Sequence, residues 1–233
     1  EIQCCLVGSE MCIRDSTGLY LEAQQKFGAG VVTVGWRRDD NDDFGEHDSW
    51  RISGRLGLTG FAEDWAIRAA TGTGFRAPSL YEIAYNNGPF SYPPASGTTL
   101  LEERSKGWEL GLIGQLDALE LEIIWFDQQI LNEIVFDLAS YSGYLQSTGR
   151  SEAEGLEVVG SLPLSPAWLI EGNLTWMDAT QQTGADRPYR PEQTARLSLL
   201  WQQNDWSTNL TARHTGEATD PFLTKIDNTF TLD

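Results

Sequence analysis

Hydrophobic and polar residues alternate with a period of two along most of the chain from Thr17 onward, in segments of about ten residues. Residues 50–59 are an example: Trp, Ile, Gly and Leu occupy one set of alternate positions, while Arg, Ser, Gly and Thr occupy the other. A helix would instead place its apolar residues three and four positions apart. The pattern therefore predicts β-strands that each present one apolar face and one polar face.

The connections between the predicted strands alternate between short and long. The short ones lie near residues 28–30, 60–64, 115–118, 163–167 and 202–205. The longer ones lie near residues 41–48, 77–104, 138–144, 181–191 and 216–225. A soluble β-sandwich or a closed soluble barrel also alternates apolar and polar positions, but neither has a reason to sort its loops by end. Transmembrane barrels do, because their periplasmic turns are short and their external loops are long.

Tryptophan placement supports the membrane interpretation. The chain has nine Trp, and seven of them lie near the ends of predicted strands, where aromatic girdles meet the membrane interface. These seven are Trp36, Trp50, Trp65, Trp168, Trp176, Trp201 and Trp206. We therefore predict an all-β fold, an antiparallel up-and-down transmembrane β-barrel of which ten or eleven strands are present. The segment Ile226–Asp233 begins a strand and stops, so the barrel is expected to stay open unless further strands complete it.

The formal net charge is -18, which argues against a nucleic-acid partner, because binding to phosphates requires clustered Lys and Arg. No run of apolar residues is long enough for a membrane helix, and the chain does not begin like a signal peptide. We therefore expect the native N-terminus to lie upstream.

Residues 1–16, EIQCCLVGSEMCIRDS, resemble translated sequencing-adaptor read-through, and they hold all three cysteines. The predicted barrel domain is accordingly residues 17–233.

Several side chains are candidates for binding. The acidic segment around Asp40, Asp42 and Asp43 offers oxygen ligands for a hard cation such as calcium. The alternative is a solvated external loop that its like charges keep open. The loop after Arg76 combines rigid aromatics with amides, a composition suited to ligand contact, although ordinary loop packing would use the same residues. These candidates are Tyr81, Tyr85, Asn86, Asn87, Phe90 and Tyr92.

Four arginines are predicted to face the barrel lumen, where they would steer an anionic ligand, contact a domain inside the barrel, or simply line a wet interior. They are Arg51, Arg55, Arg68 and Arg196. The only histidines, His47 and His214, fall on different external ends, and no Gly-x-Ser-x-Gly element is present. We therefore do not expect an enzyme, and an outer-membrane hydrolase is a remote alternative.

Two segments resemble TonB-dependent receptors of the bacterial outer membrane: RRDDNDDFGEHDSW at residues 37–50 and GTGFRAPSLYE at residues 72–82. Further segments similar to that family follow in order, namely EERSKGWELGL (102–112), ILNEIVF (130–136), GYLQSTGRSEAEGLEV (143–158) and RPYRPEQTARLSL (187–199). Within the family, the first segment is most similar to the cobalamin receptor branch.

The resemblance implies a barrel of about 22 strands, of which this chain supplies roughly half, in contact with outer-membrane lipid. It also implies a plug domain upstream, through which the TonB-ExbB-ExbD complex would energise uptake of a metal-chelate ligand. Cobalamin is the first expectation, and an iron siderophore or haem is the next. The alternative of another class is a passive porin or structural barrel. Apart from calcium, no cofactor is expected.

Overall fold

A single antiparallel sheet of eleven strands makes up most of the molecule. The structure, a computed structural model, describes residues 15–60 and 63–233. In chain order the elements are β1 (Ser16–Phe27), β2 (Gly30–Asn41), β3 (Gly45–Gly57), β4 (Trp65–Arg76), α1 (Leu80–Asn87), β5 (Glu103–Leu116), β6 (Leu119–Leu131), β7 (Ile134–Phe136), β8 (Tyr144–Gln146), β9 (Arg150–Ser165), β10 (Trp168–Thr180), β11 (Gln193–Gln203), β12 (Trp206–Thr215), β13 (Ala218–Thr219), β14 (Lys225–Ile226) and β15 (Thr229–Leu232).

The sheet follows the chain in up-and-down order, from β1 through β6, then β9 to β12 and finally β15. The pairs β7–β8 and β13–β14 form small separate hairpins within connecting loops. In the described residues β1 and β15 are the two edges of the sheet and do not pair with each other. No helix in that part of the chain is long and apolar enough to span a membrane. The prediction of an open, antiparallel, all-β sheet is confirmed.

Connections at the two ends of the sheet differ in length, as the sequence predicts, with one exception. At one end lie residues 28–29, 58–64, 117–118, 166–167 and 204–205. At the other end lie residues 42–44, 77–102, 132–149, 181–192 and 216–228. We call the second end external, because long loops face outward in outer-membrane barrels.

The exception is the acidic segment 41–48, which was expected to be a long loop and is a tight hairpin. The turn comprises only residues 42–44, and β2 and β3 stay paired above it. Arg38 on β2 offsets the negative charge, since it donates two hydrogen bonds to Asp48, at 2.9 and 2.7 Å, and lies 3.3 Å from Glu46. Because opposite charges face each other across the strands, the acidic residues do not force the hairpin open.

The two faces of the sheet differ in polarity. Register aligns apolar residues across neighbouring strands on one face, for example Val34 with Ile52 and Leu110 with Trp125. These side chains are exposed although they are apolar; Trp125 is 51% exposed and Leu197 is 58% exposed. A soluble sandwich would bury such a face, whereas transmembrane barrels carry an apolar band on the outside.

All nine tryptophans lie on this apolar face, because each shares its parity along the strand with neighbouring apolar residues. The row nearer the external end holds Trp36, Trp50, Trp108, Trp125 and Trp176, and the row nearer the short turns holds Trp65, Trp168, Trp201 and Trp206. On β10 the two rows are about 26 Å apart along the strand, which a tilt of about 40° reduces to about 20 Å. That spacing agrees with two aromatic girdles at the two membrane interfaces.

The predicted boundary at residue 16 falls at the start of β1. Residues 1–14 lie outside the described part of the chain, and Ser16 is already the first residue of β1. The adaptor-derived origin of residues 1–16 therefore stays a prediction.

Candidate functional site

Two long external loops, residues 77–102 and 132–149, pack against each other and form a small folded unit that we call the cap. It contains α1, β7 and β8. Six hydrophobic residues are buried in the described part of the chain, and four of them belong to the cap: Ala84, Ala95, Leu100 and Ile134. The cap is thus the one place in the described molecule where a conventional apolar core gathers.

Helix α1 begins where the sequence provides a capping box. The Ser79 hydroxyl accepts a hydrogen bond from the Glu82 N–H at 3.2 Å, and the Glu82 carboxylate accepts one from the Ser79 N–H at 2.6 Å. This reciprocal pair satisfies two backbone donors that a helix start leaves without partners. The segment APSLYE of the receptor-like motif therefore has a structural role, which is to start α1 directly above β4.

Two side-chain amides hold the loops together by imitating a strand partner. Asn86 donates to the Tyr144 carbonyl and accepts from the Tyr144 N–H, both at 2.8 Å. Gln146 accepts from the Leu101 N–H at 2.7 Å and donates to the Leu101 carbonyl at 2.9 Å. Each amide therefore satisfies both backbone groups of one residue in the opposite loop, as a paired strand would.

A cluster of aromatic rings lies above the first of these amides. Tyr85, Phe136 and Tyr144 pack edge to face, with ring centroids 5.2 to 5.8 Å apart. Tyr81 and Tyr141 extend the cluster on either side, at 6.1 Å from Tyr144 and Phe136 respectively. Burial raises the pKa of the Tyr144 hydroxyl. The edge-to-face geometry is the favoured one for aromatic pairs and makes a rigid surface.

The six residues predicted to contact ligand do not share one environment. Tyr81 is 63% exposed and Phe90 is 74% exposed, whereas Asn86 is 3% exposed. Asn86 has a structural role within the cap, and its contact with ligand stays a prediction. Tyr92 is exposed and donates its hydroxyl hydrogen to the Ser140 carbonyl, and Asn87 is exposed at the end of α1.

Sequence reasoning missed the half of the aromatic cluster that comes from the second loop. Phe136, Tyr141 and Tyr144 lie about fifty residues or more beyond Tyr85 along the chain, and no local pattern relates the two loops. The available signal was the family resemblance of residues 130–136 and 143–158, which contain Phe136 and Tyr144 and lie on either side of Tyr141.

The predicted lumen arginines lie on the polar face of the sheet. Arg68 pairs with Glu122 at 2.9 Å and lies 4.0 Å from Glu109, and Arg51 lies 3.6 Å from the same Glu109 oxygen. Arg51, Glu109, Arg68 and Glu122 are linked in that order by these contacts, so opposite charges meet at each step across β3 to β6. Because both arginines face carboxylates of the wall itself, wall lining accounts for their charge.

The other two lumen arginines differ from Arg51 and Arg68. Arg196 donates to the Ser198 hydroxyl at 3.2 Å. Arg55 is directly opposite Arg68 in register and has no carboxylate partner within residues 15–60 and 63–233. Contact between these arginines and a plug stays a prediction.

The residues predicted to bind calcium lie at the tip of the β2–β3 hairpin. Asp40, Asp42 and Asp43 are all exposed there. The Asn41 side chain organises the turn by accepting from the N–H groups of Asp43 and Phe44 at 3.0 and 3.2 Å. In the described ranges no group of three or more Asp, Glu, His or Cys side chains is arranged to hold a metal ion. Calcium binding stays a prediction.

His47 is held between the β2–β3 hairpin and the residues around the external ends of β4 and β5 by contacts of its ring. Its Nδ1 lies 3.9 Å from Glu102 Oε1, its Nε2 lies 3.0 Å from the Phe44 carbonyl, and its ring stacks on Phe75 at 4.7 Å. Both ring nitrogens thus face acceptors of the wall and hairpin. The geometry gives no support to the hydrolase alternative.

Arg76 joins the cap to the wall. It is the last residue of β4, and it donates two hydrogen bonds to Glu103 at the start of β5, at 2.6 and 2.7 Å. The same guanidinium donates to Glu82 on α1 at 3.1 to 3.2 Å. Glu103 also accepts from the Ile134 N–H of β7 at 2.7 Å.

The charge state of this joint follows from its hydrogen bonds, and the joint lies beyond the external girdle and therefore outside the bilayer. Burial pushes the pKa of Glu103 upward, but the hydrogen bonds from Arg76 and Ile134 outweigh it, so that the pKa lies below its ordinary value. Arg76 correspondingly has a raised pKa because of its hydrogen bonds to Glu103. The pair is fully ionised at neutral pH.

This gives a pH prediction. A carboxylate whose folded-state pKa is lowered contributes stability that is present above its unfolded-state pKa, about 4.3 for Glu, and is lost as pH falls through the folded-state value. We expect protection of the Ile134 amide against hydrogen exchange, corrected for intrinsic rate, to be unchanged from about pH 7 to about pH 5. Glu103→Gln should lower that protection across the whole range. A loss of protection between those pH values in the parent protein would contradict the assignment.

Comparison with known proteins agrees with this architecture. The family described as TonB dependent receptor-like, beta-barrel matches residues 13–233. The vitamin B12 transporter BtuB of Photobacterium profundum is 22% identical over 214 residues, which make up 89% of this chain and 33% of that protein. The chain therefore spans about a third of the length of this curated relative.

Solved structures show the same fold. A mutant of the ferric enterobactin receptor from Pseudomonas aeruginosa superposes with a TM-score of 0.72 at 21% identity, covering 92% of this chain and 36% of that one. The siderophore receptor PirA from Pseudomonas aeruginosa gives a TM-score of 0.69 at 22% identity, covering 94% of this chain and 39% of that one. With its open meander, its girdled apolar face and its match over nearly the whole length, the chain belongs to the TonB-dependent receptor-like β-barrel family of the bacterial outer membrane.

Proposed function

We propose that this barrel forms the wall and external loops of an importer of a bulky metal chelate, with cobalamin as the first candidate and an iron siderophore or haem as the next. The observation that carries the proposal is the rigid aromatic surface of the cap, held above the polar face of the wall. Tyr81 leaves 63% of its surface free, and its neighbours Tyr85 and Tyr144 are fixed by ring packing. Fixed aromatics of this kind supply contact area at low entropy cost.

The names of the relatives support a chelate as substrate without selecting one. The curated relative is a vitamin B12 transporter, and the solved relatives include receptors for ferric enterobactin and other siderophores. Identity near 21% leaves the ligand-contacting loops free to differ. Cobalamin is placed first because segment 37–50 is most similar to that branch.

We further propose that the complete receptor takes its energy from TonB with ExbB and ExbD, acting through a plug domain, and that outer-membrane lipid surrounds the girdled face. Uptake of cyanocobalamin and of ferric enterobactin by cells that produce the intact receptor tests this. We expect one of the two to enter, and an uncoupler of the proton gradient to stop its entry. Entry that persists after uncoupling would favour a passive porin, and entry of ferric enterobactin alone would displace cobalamin.

Calcium at the Asp42 tip is an additional proposal, decided by calcium titration of the intact receptor.

A prediction follows for the aromatic surface. Tyr81→Ala removes the most exposed ring of the cluster and should weaken binding of whichever of the two chelates the parent takes up by about 10-fold, since stacking contacts of this size contribute about 1.4 kcal/mol. Equilibrium binding to purified receptor measures the change. Tyr189→Ala is the matched control, because Tyr189 is equally exposed, at 63%, but lies in the loop between β10 and β11. If the two variants bind the chelate with equal affinity, the aromatic surface of the cap does not contact the ligand.

A further inference from the structure

We propose that Arg76 is the positioning residue of the ligand surface: it holds the cap on the barrel wall and thereby sets the orientation of Tyr81 and Tyr85. The assignment of those tyrosines to ligand contact rests on the proposed function. Arg76 belongs to the segment GTGFRAPSLYE that the sequence singles out. Its hydrogen bonds go to Glu82 and Glu103, so we assign it an effect on ligand through the elements that it joins.

The guanidinium is used on both of its sides. Nε and Nη2 form a two-pronged contact with Glu103, at 2.6 and 2.7 Å, while Nη1 and Nη2 reach the Glu82 carboxylate at 3.1 to 3.2 Å. A planar fork that donates to two carboxylates at once fixes their relative position in a way that a single ammonium group cannot. One side chain therefore links the start of α1 to the paired ends of β4 and β5.

The two carboxylates, Glu82 and Glu103, each accept a hydrogen bond from a different part of the cap. Glu82 closes the capping box with Ser79, so its position fixes the start of α1, one turn before Tyr85. Glu103 accepts from the Ile134 N–H, so its position fixes the start of β7, which leads to Phe136 in the aromatic cluster. Arg76 thus links both halves of the aromatic surface to the wall.

Removing the guanidinium would leave two carboxylates facing each other with little access to water. The side chains of Glu82 and Glu103 are only 11% and 15% exposed. Their shared partner is what keeps two negative charges at this depth, since a charge at low exposure is costly without a counter-charge. Repulsion between them would push α1 away from β5, whereas a lysine would keep the charge but lose the fork.

The test uses Arg76→Ala, Arg76→Lys and the control Arg104→Ala in the intact receptor. Arg104 also lies at the external end of the wall, next to the start of β5, and it pairs with Glu102. Its side chain is 64% exposed, and Glu102 is not one of the two carboxylates that Arg76 joins. The two readouts are hydrogen exchange of peptides covering α1 and β7, and equilibrium binding of cyanocobalamin.

For Arg76→Ala we expect exchange in both cap peptides to rise by about 10-fold or more, and cyanocobalamin affinity to fall by about 10-fold, with exchange in the barrel strands unchanged. Arg76→Lys should recover part of both losses, and Arg104→Ala should match the parent. If hydrogen exchange of the α1 and β7 peptides is unchanged in Arg76→Ala, the inference is wrong. It is also wrong if that exchange rises while cyanocobalamin affinity stays the same. If the parent fails to bind cyanocobalamin while exchange responds as expected, the ligand assignment falls and the joint stands. If Arg76→Ala does not assemble, Arg76→Lys decides by the same criteria.

Discussion

Asn86→Ala should make the cap open far more often while leaving the barrel intact. The substitution removes the donor to the Tyr144 carbonyl and the acceptor for the Tyr144 N–H, two hydrogen bonds of 2.8 Å. Leaving part-buried backbone groups without partners costs about 1–3 kcal/mol each. The cap has few buried apolar residues to oppose that cost, so local opening is expected to become at least about 30-fold more frequent.

Hydrogen exchange of the peptide covering β7 and β8 measures this effect, with peptides from β9 and β10 as internal reference. The neighbouring residue supplies a matched control: Asn87→Ala changes the same side chain on the same helix, but Asn87 is exposed. We expect exchange in that variant to stay within about twofold of the parent. Similar protection in the two variants would show that the amide of Asn86 does not hold the loops.

Gly155→Ala should destabilise the barrel wall itself. A Cβ at this position would lie 2.3 Å from the Trp176 carbonyl oxygen and 2.7 Å from the ring of Phe126. Because β9 is paired on both sides, with β6 and β10, neither the strand nor the carbonyl has room to move. Forcing extra volume into a packed site costs about 1–3 kcal/mol, and the shift of a paired strand places this variant at the upper end.

The measurement is urea unfolding of the receptor in lipid vesicles, followed by tryptophan fluorescence. Gly172→Ala on the neighbouring strand is the control, because its added Cβ would meet its nearest atoms at 3.4 and 3.5 Å, which is ordinary contact. That variant should stay within about 0.5 kcal/mol of the parent. If both variants lose equal stability, the close approach at Gly155 has been misjudged.

The fold could be predicted because its determinants are local. Period-two alternation in segments such as β3 fixes both the strand and the face that it presents, without knowledge of its partners. The prediction of a long loop at residues 41–48 was wrong for a physical reason. Acidic composition is typical of an open loop, whereas the compensation by Arg38 depends on register, which composition does not reveal.

The candidate site was predictable only in part, because its halves come from separate loops. Tyr81 and Tyr85 could be chosen from one loop, but their ring partners Phe136 and Tyr144 come from another, and the pairing of β5 with β4 and β6 places the loops side by side. Asn86 and Asn87 were both predicted to contact ligand, because the sequence does not distinguish an asparagine that is buried from one that is exposed. The role of Asn86 depends on one backbone residue in the opposite loop, which no local pattern identifies.

The placement of every tryptophan on one face bears on how the wall is assembled. If a strand were paired one residue out of register, its side chains would turn over, and its tryptophans would enter the wet interior. A slip of two residues would keep the face but move each indole by about 7 Å, out of the interfacial zone. Mispairing a strand that carries a tryptophan therefore costs free energy, because the indole lies either in the wet interior or outside the interfacial zone. The rows at Trp36 and Trp168 thus favour the native register over these alternatives.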